Sequence, residues 1–310
     1  MAIKRVVVTG ARGFLGSQTL PSLLDRGYEV FALSREVVSA DHGVTWVQGD
    51  ILDPRSMQRV LENIRPSHLL HCAWITTPGH FWSAAENWDW VAASLFLARN
   101  FAACGGKRLV AVGTCVEYDI FDAALLRGEP CREDVTPLVP HTAYGQAKHG
   151  LGRMLHHLSA HLHLSMAWGR VFQPYGEGEP EGKLLSHVAG ALARNEPVLV
   201  TSGQQKRDFI EARDAGRALA ILLDSDLQGD VNIGTGKGTS VAEAARLLGH
   251  LAGKPSLIRL GALPVRAGDP PCLVADTQRM QTIGFVPLRT LEEGLRHLLS
   301  VQGLTISEAS

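Results

Sequence analysis

The sequence predicts an α/β fold: a doubly wound parallel sheet with a smaller α/β lobe supplied by the C-terminal half. Three observations predict it. Apolar β-rich runs alternate with helical patterns as far as residue 170, and a glycine-rich turn joins the first run to the first helix. Beyond that point the pattern loosens and Gly and Pro become frequent, as in "QPYGEGEPEG" and "GALPVRAGDPP". Strands apolar nearly throughout belong to a sheet covered on both faces, and their alternation with helices makes the sheet parallel, with right-handed crossovers.

The elements follow in order. "IKRVVVTG" is a strand, and "FLGSQTLPSLLDRG" is a helix closed by Gly27. "YEVFALS" and "VTWVQGD" are strands, "DPRSMQRVLENI" a helix and "HLLHCAW" a strand. The long helix "ENWDWVAASLFLARNFAACGG" precedes the strand "KRLVAVGT", and a helix from "TAYGQAK" leads to the strand "LSMAWGRVF". This places a sheet domain at residues 1–170. Residues 171–310 form mainly the lobe, with some segments returning to the sheet.

Bulk composition is that of an ordinary globular chain. Of 310 residues, 45% are hydrophobic and 20% charged, which is ample material for a core. The formal net charge of −1 points to neither nucleic acid nor an anionic membrane as partner. No window approaches the roughly 18 apolar residues of a membrane span, and the apolar stretch after Lys4–Arg5 is too short for a secretory h-region. Five cysteines without CxxC spacing read as reduced thiols of a cytoplasmic protein.

The turn "TGARGFLG" carries Gly10, Gly13 and Gly16, with Arg12, Phe14 and Leu15 between and after them. A strand–glycine turn–helix lets backbone N–H groups at the helix start face a pyrophosphate, and absent Cβ atoms permit close approach. The turn therefore predicts dinucleotide binding of the Rossmann kind, and a tight structural turn is the alternative. The second strand ends in Ser34 and Arg35 where an NAD site places an acid. A guanidinium binds a 2′-phosphate that a carboxylate would repel, so Arg35, helped by Arg12, predicts NADP(H), with NAD(H) as the alternative. Asp50 and Ile51 suit an adenine edge, a carboxylate for the amino group and an aliphatic wall for the ring.

Tyr144 and Lys148 stand four apart at a helix start, on one face. A lysine ammonium one turn away stabilises a phenolate and brings its pKa toward use, and it can also hold a ribose. Other features are discounted. His157 and His161 are a bare i, i+4 pair without further ligands, so no metal site is assigned. His71 reads as packed beside the cofactor, and Cys115, without a placed base, as pocket packing.

Taken together, these motifs resemble the extended short-chain dehydrogenase/reductases of the NAD-dependent epimerase/dehydratase type, over nearly the whole chain. The likeness rests on TGARGFLG, GDI at 49–51, HCA at 71–73, GTCVEY at 113–118, YGQAK at 144–148, RVFQPYG at 170–176, RDFI at 207–210 and VNIGTG at 231–236. The resemblance implies a catalytic set of Thr114, Tyr144 and Lys148, with Cys72, Ala73 and Phe172 beside the cofactor. It implies a nucleotide-sugar substrate held by Trp74, Thr76, Cys115, Gln173, Arg207 and Arg266, with Phe81 and Trp82 near the sugar. Arg207 and Arg266 match diphosphate-binding positions, and Gln173 stands where relatives carry asparagine. Dehydratases of the family follow the Ser/Thr with Asp and Glu; Cys115 and Val116 stand here instead, which argues against dehydration. Two reactions remain. NADPH-dependent reduction of a C4 keto group leads, on the Ser34–Arg35 reading and on a likeness to CDP-abequose and CDP-paratose synthases; 4-epimerisation with tightly held NAD is the alternative. A homodimer through the helices around 86–105 and 143–161 is also implied.

Overall fold

The computed structural model describes residues 3–38, 43–180, 182–265 and 268–304. The strands are β1 Arg5–Thr9, β2 Glu29–Ser34, β3 Val44–Gln48, β4 His68–His71, β5 Arg108–Thr114, β6 Ser165–Val171, β7 Gln173–Tyr175, β8 Val198–Leu199, β9 Lys206–Arg207, β10 Phe209–Glu211, β11 Gly229–Ile233, β12 Thr239–Ser240, β13 Ile258–Arg259 and β14 Cys272–Leu273. The helices are α1 Phe14–Asp25, α2 Pro54–Ile64, α3 Asn87–Ala103, α4 Ala123–Leu126, α5 Ala143–His161, α6 Leu184–Ala193, α7 Ala212–Asp224, α8 Val241–Leu251, α9 Gln278–Thr282 and α10 Leu291–Val301.

The predicted fold class holds. Seven strands form one sheet in the order β11–β6–β5–β4–β1–β2–β3, every neighbouring pair parallel. From β1 the chain winds outward to β3, then returns to β4 on the other side. The order therefore reverses between β1 and β4, and a crevice opens at the carboxyl ends of those strands. β5 is buried at all seven residues, as a strand covered on both faces must be. One face packs on α1 and α7 through Leu20, Leu23, Leu219 and Leu223; the other packs on α2, α3 and α5 through Met57, Leu61, Leu97, Phe101 and Leu151.

Local sequence starts the helices where they start. Asp53 caps α2, accepting the Arg55 N–H ahead of a first-turn proline, and Thr142 caps α5, accepting the Gly145 N–H at 3.0 Å. The lobe has its own core of Val188, Leu192, Leu248, Leu295 and Leu298 beneath α6, α8 and α10. Its strands are short: β7 pairs with β10, β9 lies between β12 and β14, and β8 pairs with β13. Fully buried Asp208 joins the lobe to the loop after β11. Its carboxylate accepts the Thr235 and Gly236 N–H groups, the Thr235 hydroxyl and the Ala275 N–H. Burial pushes the Asp208 carboxyl above its ordinary value, and these four donors pull it back.

Candidate active site

A cleft of about 1070 Å³ opens at the carboxyl ends of the central strands. At its floor the glycine turn leaves no room for side chains. Gly10 has φ +68°, and a Cβ there would lie 2.7 Å from the Ala73 nitrogen; a Cβ on Gly16 would lie 2.1 Å from the Gly10 carbonyl oxygen. α1 can therefore start close under the sheet edge with its N–H groups facing the cleft, the cradle a pyrophosphate needs. Gly13 donates its N–H back to the Gly10 carbonyl at 2.8 Å, and Phe14 and Leu15 line the cleft from the first helical turn.

Ser34, Arg35, Asp50 and Ile51 line one end. Ser34 is buried, and its hydroxyl accepts the Glu36 N–H at 3.2 Å. Arg35 is exposed. Arg12 also lines this end, its exposed guanidinium paired with the Glu36 carboxylate across the turn. Asp50 has a structural task as well, one oxygen accepting the Leu52 N–H at 3.0 Å.

The other end is more deeply buried, at Thr114 and Lys148 above all. Thr114 closes β5 and caps the short 3-10 turn Cys115–Glu117. Tyr144, in the first turn of α5, donates its backbone N–H to the Trp82 carbonyl at 3.2 Å, and its ring stands edge-on to Phe81 at 4.9 Å and to Trp82 at 5.8 Å. Burial pushes the Tyr144 phenol well above its ordinary value. A hydrogen bond with Thr114 works against that shift, and the Glu117 and Cys115 charges add to it.

Lys148, one helical turn on from Tyr144, is buried. It donates to the Val112 carbonyl at 2.7 Å and lies 4.1 Å from the Trp74 ring centroid and 5.7 Å from that of Trp168. Burial brings Lys148 down to about 8, opposed by Glu117 and Cys72. A desolvated ammonium takes the nearest carbonyl and indole faces.

Trp74 lines the cleft, with its indole N–H committed to the Asn87 side-chain oxygen at 2.9 Å. Asn87, fully buried, donates in turn to the Phe81 and Ala84 carbonyls, each at 2.8 Å, and so sets the path of the aromatic segment. Thr76, Cys72, Ala73, Cys115, Phe172 and Gln173 also line the cleft, Gln173 reaching the Cys115 sulfur at 3.8 Å. His71 is packed: its ring nitrogens meet Thr9 and Ser94 at 2.7 and 2.8 Å, and burial lowers it to about 3.

Arg207 lies near Cys115 without lining the cleft. It is buried, paired with the Asp269 carboxylate and donating to the Lys206 and Pro270 carbonyls at 2.8 Å. Arg266 lies outside the described residues. Two residues that sequence reasoning missed line the cleft from the lobe. Lys183 stands 5.0 Å from the Phe81 centroid and 5.9 Å from that of Trp82. Glu179 accepts the Ser186 hydroxyl, and burial raises it to about 7. Their spacing of four just ahead of a helical pattern was the available signal, masked by the surrounding Gly and Pro.

Among the described residues no cluster of His, Cys, Asp or Glu is placed to hold a metal, and no helix is long and apolar enough to cross a membrane.

Known proteins resemble this chain in sequence and fold. The profile of the NAD dependent epimerase/dehydratase family matches residues 6–234. A UDP-glucose 4-epimerase of Neisseria meningitidis serogroup B is 28% identical over 330 residues, spanning 94% of this chain and 95% of its own. The solved structure of MoeE5 in complex with UDP-glucuronic acid and NAD is 27% identical, with a TM-score of 0.80 over 96% of this chain and 99% of its own. The UDP-glucose 4-epimerase of Thermus thermophilus, solved with NAD, shares the fold at 24% identity, with a TM-score of 0.83 over 96% of this chain and 99% of its own. A glycine cradle, a tyrosine–lysine pair one helical turn apart and a profile match across most of the sheet agree: the chain belongs to the NAD dependent epimerase/dehydratase family.

Proposed function

We propose that this chain is a nucleotide-sugar 4-epimerase, which oxidises C4 of a sugar linked to a nucleoside diphosphate and reduces it again on the opposite face. The observation that carries the reading is the convergence of Thr114, Tyr144 and Lys148 at the more deeply buried end of a cleft whose floor is the glycine cradle. Full-length likeness to UDP-glucose 4-epimerases supports it.

The residues suit a dinucleotide. Gly10, Gly13 and Gly16 would hold its diphosphate, Asp50 and Ile51 its adenine, and Lys148 its second ribose. When bound, such a cofactor supplies an acceptor and a donor of hydride. The chain supplies the rest. Tyr144 takes the C4 hydroxyl proton and returns it, Thr114 orients that oxygen, and Trp74, Phe81 and Trp82 keep water from the reacting carbon. Cys115 and Val116 offer no carboxyl pair for eliminating water, so the sugar keeps its hydroxyl groups.

A second reading follows from buried Ser34 and exposed Arg35 at the end of β2, where an NAD site places an acid. These favour a 2′-phosphorylated dinucleotide, and with it net reduction of a 4-keto sugar. One experiment separates the two. The purified protein is denatured and the released dinucleotide identified, and the native protein is assayed in parallel. Interconversion of UDP-glucose and UDP-galactose without added reductant, with NAD released, supports epimerisation. Oxidation of NADPH by a CDP-, GDP-, UDP- or dTDP-4-keto-6-deoxyhexose, with no interconversion, overturns it in favour of reduction.

A further inference from the structure

The Thr114 turn is held from behind by a carboxylate that the scheme above leaves unused. Glu117 is fully buried. One of its oxygens accepts the Thr114 N–H at 2.8 Å, the Trp168 indole N–H reaches both oxygens at 3.0 and 3.1 Å, and Arg170 Nε donates to the other at 2.9 Å. Arg170 continues to Asp230 at 2.8 Å, and Asp230 meets the His156 ring at 2.7 Å. On the neighbouring strands, Arg170 of β6 stands beside Gly113 of β5 and Asn232 of β11, and Asp230 of β11 stands beside Trp168, so Trp168, Arg170 and Asp230 share one face of the sheet.

Space has been cleared for this carboxylate. A Cβ on Gly113 would lie 2.3 Å from the Trp168 indole nitrogen and 2.7 Å from a Glu117 oxygen, and one on Gly152 would lie 2.9 Å from the Trp168 ring. A buried ion pair is seldom the most stabilising filling for such a space; well-packed apolar side chains often do as well or better. The pair at Glu117 therefore asks for another reason, and its position supplies one.

We propose that Glu117, braced by Trp168 and Arg170, is a positioning residue for proton transfer: it fixes the Thr114 turn against Tyr144 and sets a negative charge behind both proton-bearing side chains. The proposal rests on the roles given above to Thr114, Tyr144 and Lys148. The charge acts in one direction at both groups, since it helps Tyr144 keep its proton and opposes the loss of the proton that burial favours at Lys148. The other groups facing this pair are known. Thr114 and Cys115 face Tyr144 from the turn, and neutral Phe81 and Trp82 from the aromatic segment. Cys72 and neutral His71 face Lys148 from the end of β4, with the Trp74 and Trp168 rings. At Arg170 burial opposes the charge, yet Glu117 and Asp230 outweigh it and hold the guanidinium above its ordinary value.

The test is the pH profile of kcat/KM for Glu117→Gln. Expected are a fall in kcat of about 10- to 100-fold with KM within about twofold, and a move of the Tyr144-controlled limb to lower pH by about one unit. Because Arg170 would be left with Asp230 as its one acidic partner, Glu117→Gln/Arg170→Met is measured beside it; removing both charges preserves the fold and leaves the limb displaced. An unmoved limb in either folded variant overturns the proposal, as does a rise in KM that accounts for the whole loss. Titration of fluorotyrosine-labelled protein by ¹⁹F NMR, with the Tyr144 signal assigned from Tyr144→Phe, reads the same displacement without turnover. A chain that proves inactive on every nucleotide sugar therefore sinks the proposed function while Glu117 is still decided.

Discussion

The two ends of the cleft differ in how they treat charge. At the end lined by Ser34 and Asp50, the Arg12 and Glu36 side chains pair in the open, 53% and 74% exposed. At the other end Lys148 is 4% exposed and Thr114 8%. In the open, a pair of this kind contributes about 0–1 kcal/mol and weakens with salt. At the buried end a single ammonium settles on a carbonyl and an indole face, and burial lowers its proton affinity.

The largest effect that would test this contrast comes from Tyr144→Phe. Loss of the phenol should reduce kcat by about 10²- to 10⁴-fold while circular dichroism and melting stay as they were; a variant within tenfold of the parent would break the assignment of the buried end. Lys148→Met comes next, read as stability. Burial lowers Lys148 from 10.5 to about 8, so the charged folded form at neutral pH is disfavoured by about 3 kcal/mol. The variant should melt several degrees higher and be inactive. The parent should itself gain stability as pH rises from about 8 to 10.5, because the folded chain gives up the proton before the unfolded one does. Urea titrations across that range check the sign.

Effects at the open end should be smaller. Arg35→Ala should shift relative affinity from NADP toward NAD by about tenfold, measured by fluorescence titration, and the shift should shrink in high salt. Glu36→Gln releases Arg12 and should improve NADP binding by about two- to threefold. A larger gain than Arg35→Ala removes would mean that Arg12 is the main phosphate ligand.

What could be read in advance was local. Alternating apolar runs set out the sheet, glycine spacing marked the cradle, and the four-residue step from Tyr144 to Lys148 put both on one helix face. What escaped the sequence was pairing over long separations. Nothing near Arg207 announces that it closes on Asp269, 62 positions away, and nothing near Trp74 announces the Asn87 clasp. The Trp74 indole that Lys148 lies against comes from the segment after β4, whose course depends on Asn87. Glu117 has the same history, for its partners Trp168 and Arg170 lie more than fifty residues on.

Asp208 has a consequence for anyone who would take this molecule apart. One carboxyl group stitches the link between β9 and β10 to the loop that leaves the last strand of the main sheet and to Ala275 near the small three-stranded sheet. Lobe and sheet should therefore melt in a single transition. Grafting the substrate half of one relative onto the cofactor half of another would have to carry both loops across along with the aspartate, or leave a carboxyl stranded at the seam.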